Sequence, residues 1–274
     1  MIMMMHMTKL TIKRSPGTTP GQATVRTRAV PAVTRAIAIL RLLGKVKEPM
    51  GVNAIAQALD LIPSTCLHIL RTLVEEKLIS VDGDTKRYRL GMGVLTLARS
   101  AREANAFPST VQSGLDRLSS KWGVTAIGVD VTDQEQMVVV ALSRSNLPFR
   151  LHVDVGSVFP ALLSATGRLV AAFGGQPMPE LKRRFQKLRW DKPMDFEAWY
   201  KEVVFAQKHH YSIDRNTYIA GLNIAAVPVL DDADRIAHTI VCASLTDQLT
   251  KSQQLELVTA MQQEARRLAR PKFD

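Results

Sequence analysis

The stretch 51-GVNAIAQALDLIPSTCLHILRTLVEEKLIS-80 holds two short apolar periods with Pro63 between them, and that proline decides how this part of the chain can fold. Inside a helix proline removes a hydrogen bond and clashes with the preceding turn, whereas at the first helical position it is well tolerated. The sequence therefore predicts a short helix burying Val52, Ile55, Ala56 and Leu59, a turn at Asp60, Leu61 and Ile62, and a new helix from Pro63. In that second helix Leu67, Leu70, Leu73 and Val74 make the inner stripe. Ser64, Thr65, His68, Arg71, Thr72 and Glu75 lie on or beside the opposite face. A short helix, a tight turn and a helix whose outward start carries small hydrogen-bonding side chains form a helix-turn-helix. Hydroxyls there suit phosphate oxygens and base edges, because the backbone amides and the positive dipole end point the same way.

The flanking segments extend this unit. Before it, Val33, Ile37, Leu40 and Leu43 fall on one side of a helix of about three turns that ends near Gly44. After it, LISVDGDTKRYRLG alternates apolar and polar residues around Asp82-Gly83-Asp84, the pattern of a hairpin whose tip and return strand carry Lys86, Arg87 and Arg89. A basic hairpin attached to a helix-turn-helix is a wing.

Charge supports the same partner. Residues 1 to 99 hold 15 Lys+Arg against 6 Asp+Glu, a surplus of +9, while residues 100 to 274 hold 21 against 19, a surplus of +2. Such asymmetry points to a polyanion for the first third of the chain, with a merely solvating basic face as the alternative. Residues 1–29 carry Lys9, Lys13, Arg14, Arg26 and Arg28, no acidic residue and no apolar period, and read as a disordered basic arm.

Four segments result: the arm at 1–29, a winged helix-turn-helix at 30–91, a linker helix at 92–106 interrupted by Phe107-Pro108, and a second domain at 107–274. In the last, a helix is expected over 109–122, strands at VTAIGVDVT, QMVVVAL and FRLHVDV, and helices near 164–174, 178–188 and 195–209. Strands at NIAAVPVL and AHTIVCASL and a final helix at 251–269 complete it. This order describes an α+β domain on a mostly antiparallel sheet.

Several function classes find no support. No run of eighteen apolar residues and no signal peptide is present, which favours a cytoplasmic protein without a membrane partner. Cys66 and Cys242 lie far apart inside apolar segments and read as buried thiols. His6, His68, His152, His209, His210 and His238 lack the spacing of a metal site, and there is no nucleophile elbow, P-loop or dinucleotide fingerprint. Neither a metal, a cofactor nor a catalytic residue is expected.

Residues from about 30 to 270 resemble the IclR family of bacterial transcriptional regulators. GVNAIAQALDLIPSTCLHILRTL followed by YRLG is similar to the family's winged helix-turn-helix, and VGSVFPALLSATGRLVAAF and YSIDRNTYIAGLNIAAVPVLD are similar to two signatures of its second domain. The resemblance implies a GAF-like effector domain that binds a small organic acid from a catabolic pathway, and assembly into dimers or tetramers on double-stranded DNA. It places Ala165, Thr166 and Gly167 at a helix start that holds the acid, and Asp214 at a position facing the ligand. His68 stands where the family often has arginine, and Arg168 where it usually has lysine. Ile224, Val241 and Ala243 replace the cysteine and serines of relatives that take small polar keto acids, so the apolar wall favours an aromatic or bulkier acid. The alternative from another class is a ligand-binding enzyme or sensor whose winged domain mediates protein association.

Overall fold

A computed structural model describes residues 30–46, 48–103, 105–131, 136–144, 151, 153–192 and 194–268. The basic arm expected at residues 1–29 lies outside the described residues. The chain divides into two compact units between Ala98 and Arg99.

In the first unit, α1 (Pro31–Lys45) precedes a two-residue strand β1 (Met50–Gly51), then α2 (Val52–Ala58) and α3 (Pro63–Glu75), with Pro63 at the first position of α3. The strands β2 (Ile79–Val81) and β3 (Arg87–Leu90) form the wing, and β1 adds to β3, giving a three-stranded antiparallel sheet in the order β1-β3-β2. The third strand was not visible in the sequence, because two residues carry no period. The core consists of Ile39, Leu43, Ile55, Leu70, Leu73 and Ile79 with Cys66 and Tyr88.

Two expected stripes shift by a residue or two. In α1 Ile39 and Leu43 are buried, while Val33 and Ile37 are 59% and 42% exposed. The first turns run past the end of the unit's core, so only the later turns have anything to pack on. In α3 Cys66 is fully buried and Leu67 only half-buried, because a row at 66, 70 and 73 fits the groove over Ile55 better than one starting at 67. Burial pushes the Cys66 thiol up from its ordinary value.

A helix α4 (Gly93–Glu103) runs across the division, and α5 (Phe107–Trp122) follows with Pro108 in its first turn. Phe107-Pro108 thus starts α5, two residues earlier than expected. The second unit then contains β4 (Thr125–Asp130), β5 (Gln136–Ser143), β6 (Val158–Pro160), α6 (Ser164–Phe173), α7 (Met178–Phe185), α8 (Phe196–His209), β7 (Ser212–Arg215), β8 (Leu222–Leu230), β9 (Ile236–Leu245) and α9 (Lys251–Leu268).

All strand pairs of this unit are antiparallel, in one six-stranded sheet of order β6-β5-β4-β9-β8-β7. The valine-rich FRLHVDV is not a strand where it is described: Leu151, Val153 and Asp154 lie outside the sheet, and β6 at 158–160 takes the place beside β5. Val153 is nevertheless buried in the core, so its apolar character reports packing rather than pairing.

Side chains alternate between two apolar clusters. On one face Val129, Val139, Ile224 and Val241 pack against Leu169 of α6, Phe185 of α7 and Trp199 of α8. On the other, Ala126, Val227, Ile240 and Cys242 meet Leu115 and Leu118 of α5 and Met261 of α9. Helices on both faces explain why β8 is buried at eight consecutive positions, a run without the alternation of a half-exposed strand.

The helices α5 and α9 are clamped by Arg117, which donates through Nε and Nη2 to Glu264 at 3.1 and 2.7 Å, while Arg267 donates to the same carboxylate at 3.0 Å. The hydrogen bond from Arg117 holds the Glu264 carboxyl below its usual range against the opposing effect of partial burial. A depressed carboxyl stabilises the fold above the ordinary glutamate range, and that contribution disappears as pH falls through the folded value. In thermal unfolding scanned against pH, Glu264→Gln should lower the midpoint at neutral pH and converge with the wild type in acid.

Candidate functional site

The expected site residues fall in two regions, one in each unit. On α3, Ser64, His68, Arg71 and Thr72 are exposed and Thr65 is half-buried. The Thr72 hydroxyl donates back to the His68 carbonyl at 3.3 Å, a distance at which it remains free to turn to another acceptor. No acidic residue occurs from Pro63 to Val74, and the exposed Glu75 stands only at the C-terminal end of the helix, away from its start. The wing turn is built by Asp82, whose carboxylate accepts from the amides of Asp84 and Thr85 and from the Thr85 hydroxyl, at 3.2, 2.8 and 2.7 Å. The bond from the Thr85 amide is the largest cause of a carboxyl held below its usual range. Lys86 takes a positive φ of 54° in the turn, and Lys86 and Arg87 are both exposed. Arg89 is used inside the wing, donating to the Ser80 hydroxyl at 3.2 Å.

In the second unit the structure brings the expected effector residues into one region. Asp214 pairs in register with Ile224, and Ile224 with Ala243, while Val241 lies two residues before Ala243 on the same face. All four are buried, and Ala165 belongs to the same apolar cluster. Thr166 and Gly167 are buried on α6 as well. Gly167 is there for closeness: a Cβ on it would stand 1.9 Å from the Leu162 carbonyl carbon, so only glycine lets the helix start against that segment. Its amide donates to the Leu163 carbonyl at 2.9 Å, which leaves the first-turn amides of Ala165 and Thr166 as the donors facing out of the helix end.

Sequence reasoning left Arg168, Ser164 and Glu202 out of the site. Arg168 is 1% exposed, contacts Glu202 of α8 through Nε, and faces Asp214 with Nη1 to Oδ2 at 3.6 Å. Asp214 meanwhile accepts from the amides of Thr217 and Tyr218 through Oδ1, at 2.9 and 3.2 Å. Among the described residues, Ser164 Oγ, Arg168 Nη1 and Asp214 Oδ2 are buried without a hydrogen-bond partner. Ser164 also takes a left-handed φ of 55°, uncommon for serine. Buried polar atoms without partners and local strain in one region are a frequent mark of a binding site. The signal in the sequence was the arginine within SATGRLVAAF, a charge in a segment too apolar to leave it in water.

A cleft of about 450 Å³ lies elsewhere, between the end of α8, the β8–β9 turn and α9, and includes none of the expected effector residues. Its residue Asp231 is occupied by the amides of Ala233 and Arg235, each at 2.9 Å. The cleft is open, and of its lining residues Asp231, Asp232 and Asp234 belong to the β8–β9 turn. No group of metal-binding side chains occurs among the described residues, and no described helix is long and apolar enough to cross a membrane.

Comparisons with known proteins agree with this division. Residues 32–83 match the IclR helix-turn-helix domain, and residues 108–270 match the bacterial transcriptional regulator IclR C-terminal domain. The chain is 25% identical over 240 residues to the probable transcriptional regulator SauR of Cupriavidus necator, covering 83% of this chain and 91% of that protein. The crystal structure of an IclR transcriptional regulator from Alicyclobacillus acidocaldarius superposes with a TM-score of 0.76 at 24% identity, over 88% of this chain and 98% of the other. An IclR homologue from Microbacterium hydrocarbonoxydans, solved in complex with 4-hydroxybenzoate, superposes with a TM-score of 0.72 at 14% identity, over 85% and 95% of the two chains.

Removing one partner of a buried ion pair strands the other, at a cost of about 3–5 kcal/mol. Arg168→Ala should lose about that much in urea unfolding, and Arg168→Met combined with Asp214→Asn should recover part of it.

Proposed function

The chain belongs to the IclR family of bacterial transcriptional regulators, and from that membership we propose that it binds operator DNA through α3 and the wing under the control of a small, aromatic organic acid. The family's members are regulators and not enzymes. The observation that carries the DNA reading is the exposed polar face of α3, without an acidic residue from Pro63 to Val74, together with a basic wing. Ser64, Thr65, His68, Arg71 and Thr72 enter the major groove, and Lys86 and Arg87 hold phosphate or the minor groove. Two chains, or two pairs of them, set the half-site spacing.

The acid binds at the start of α6. Its carboxylate takes the amides of Ala165 and Thr166, and its body lies against Ile224, Val241 and Ala243. Arg168 makes this possible by neutralising Asp214, whose bare charge beside the site would repel an anion. The apolar wall, together with the 4-hydroxybenzoate held by the Microbacterium homologue, supports an aromatic acid over a two- or three-carbon one. Occupancy alters operator affinity by binding two arrangements of the DNA-binding units unequally, with α4 as the connection.

Operator binding should weaken steeply with salt, the logarithm of affinity falling by about 0.9 per phosphate contact against the logarithm of salt concentration. Arg71→Ala should lose roughly 1–3 kcal/mol on the specific site and little on random duplex. Equal losses on both would make Arg71 a phosphate contact instead. A thermal-shift panel from glyoxylate and pyruvate to hydroxylated benzoates tests the effector. An aromatic hit at a hundredfold its Kd stabilises by about 2.7 kcal/mol, whereas tight pyruvate binding with no response to any benzoate would overturn the aromatic assignment.

A further inference from the structure

Ile62 departs from the local rule at the helix start that meets DNA in the reading above. It is the N-cap residue of α3, with extended backbone at φ −68° and ψ 129°, and makes no side-chain cap bond. Serine, threonine, aspartate or asparagine at such a position would accept a hydrogen bond from the first turn, and isoleucine is among the poorest choices. The side chain is 70% exposed, so burial does not compensate for the missing cap. Its neighbours supply the local structure without it. Leu61 packs on the core of the unit, Pro63 occupies the first helical position, and the backbone carbonyl of Ile62 already accepts from the Cys66 amide at 3.0 Å. A branched aliphatic group is thus held in water at the start of the helix, two residues before Ser64 and six and nine residues before His68 and Arg71.

Resting on the DNA-binding reading of α3, we infer that Ile62 recognises the 5-methyl group of a thymine in the major groove. Of the four bases, thymine alone presents an apolar group on that edge, and apolar side chains read it by contact. The hydroxyls of Ser64 and Thr65 and the longer His68 and Arg71 address donors and acceptors; Thr65 also carries a methyl group but is half-buried, whereas the Ile62 side chain is exposed. A local rule broken without a structural gain is the pattern expected where recognition has taken precedence over stability.

The test begins with selection of bound duplexes from a random library by the full-length protein. The library is used once unmodified and once with CpG cytosines methylated. Each thymine of the selected site is then replaced by deoxyuridine, which pairs identically and lacks the methyl group, and affinities are read by fluorescence anisotropy. Burial of one methyl corresponds to about a fourfold change in Kd. Wild type should lose about that factor at one thymine per half-site, and Ile62→Ala and Ile62→Ser should bind thymine and deoxyuridine duplexes equally. Ile62→Ser should also raise the thermal midpoint by supplying the missing cap, which separates lost recognition from lost folding. Indifference of the wild type to every deoxyuridine overturns the inference, as does a methyl preference that survives Ile62→Ser. A preference confined to 5-methylcytosine overturns the thymine assignment. If Ile62→Ser changes the sedimentation state and leaves methyl dependence intact, Ile62 contacts a second copy of the chain and the inference falls. Failure to enrich any duplex in low salt removes the DNA-binding reading itself, a result distinct from all of these.

Discussion

A guanidinium does not shed its proton inside a protein, so Arg168 can be buried at 1% exposure only where carboxylates meet it. Asp214 from β7 and Glu202 from α8 do so, and the contact ties a helix on one face of the sheet to the sheet's edge strand and to the neighbouring helix. The residues of the proposed effector region are arranged around that tie. Asp214 shapes the turn after β7 through the amides of Thr217 and Tyr218. The helix carrying Arg168 is in turn pressed against Leu162 at Gly167. A buried pair of this kind contributes less to net stability than to uniqueness of arrangement, since apolar replacements of equal volume are often as stable. Here the arrangement also leaves polar atoms without partners in the region where an anionic ligand is proposed to enter.

The two units solve the problem of a core in different ways. The winged unit is small and draws on one cluster of nine buried side chains among the described residues. The second unit has a sheet covered on both faces by helices, which gives it two apolar clusters, one on each face. The cluster with α5 and α9 contains Cys242, whose thiol burial pushes far up and makes inert. The cluster with α6, α7 and α8 adjoins Asp214, Ile224 and Ala243, the residues of the proposed pocket.

Legibility in the sequence followed the range of the interactions involved. The helix-turn-helix was legible because Pro63, the short apolar periods and the Asp82 turn act over a few residues. The strands at 125–130, 222–230 and 236–245 were legible because burial made them rich in valine, isoleucine and alanine. The strand at 212–215 was not, since Ser212 and Asp214 are polar and are buried only because distant residues receive them. FRLHVDV misled for the opposite reason: valine reported a place in the core, and pairing went to a shorter and more exposed segment, Val158–Pro160. Arg168 was noticed as an unusual residue, but its role required a partner 46 positions away, for which no local pattern exists.

From the residues alone followed the two-part organisation, the basic first third and the polar outer face of α3, which depend on periodicity, proline geometry and charge, all properties of neighbouring residues; the family followed from the resemblance of three motifs. The tertiary structure decided which apolar residues are core and which are surface. Val33, Ile37 and Ile62 are exposed and Cys66 is buried, although hydropathy ranks them alike. It also decided that the charge of Asp214 is balanced and that of the α3 face is not, because Coulombic and packing interactions join residues by distance in space rather than by order in the chain.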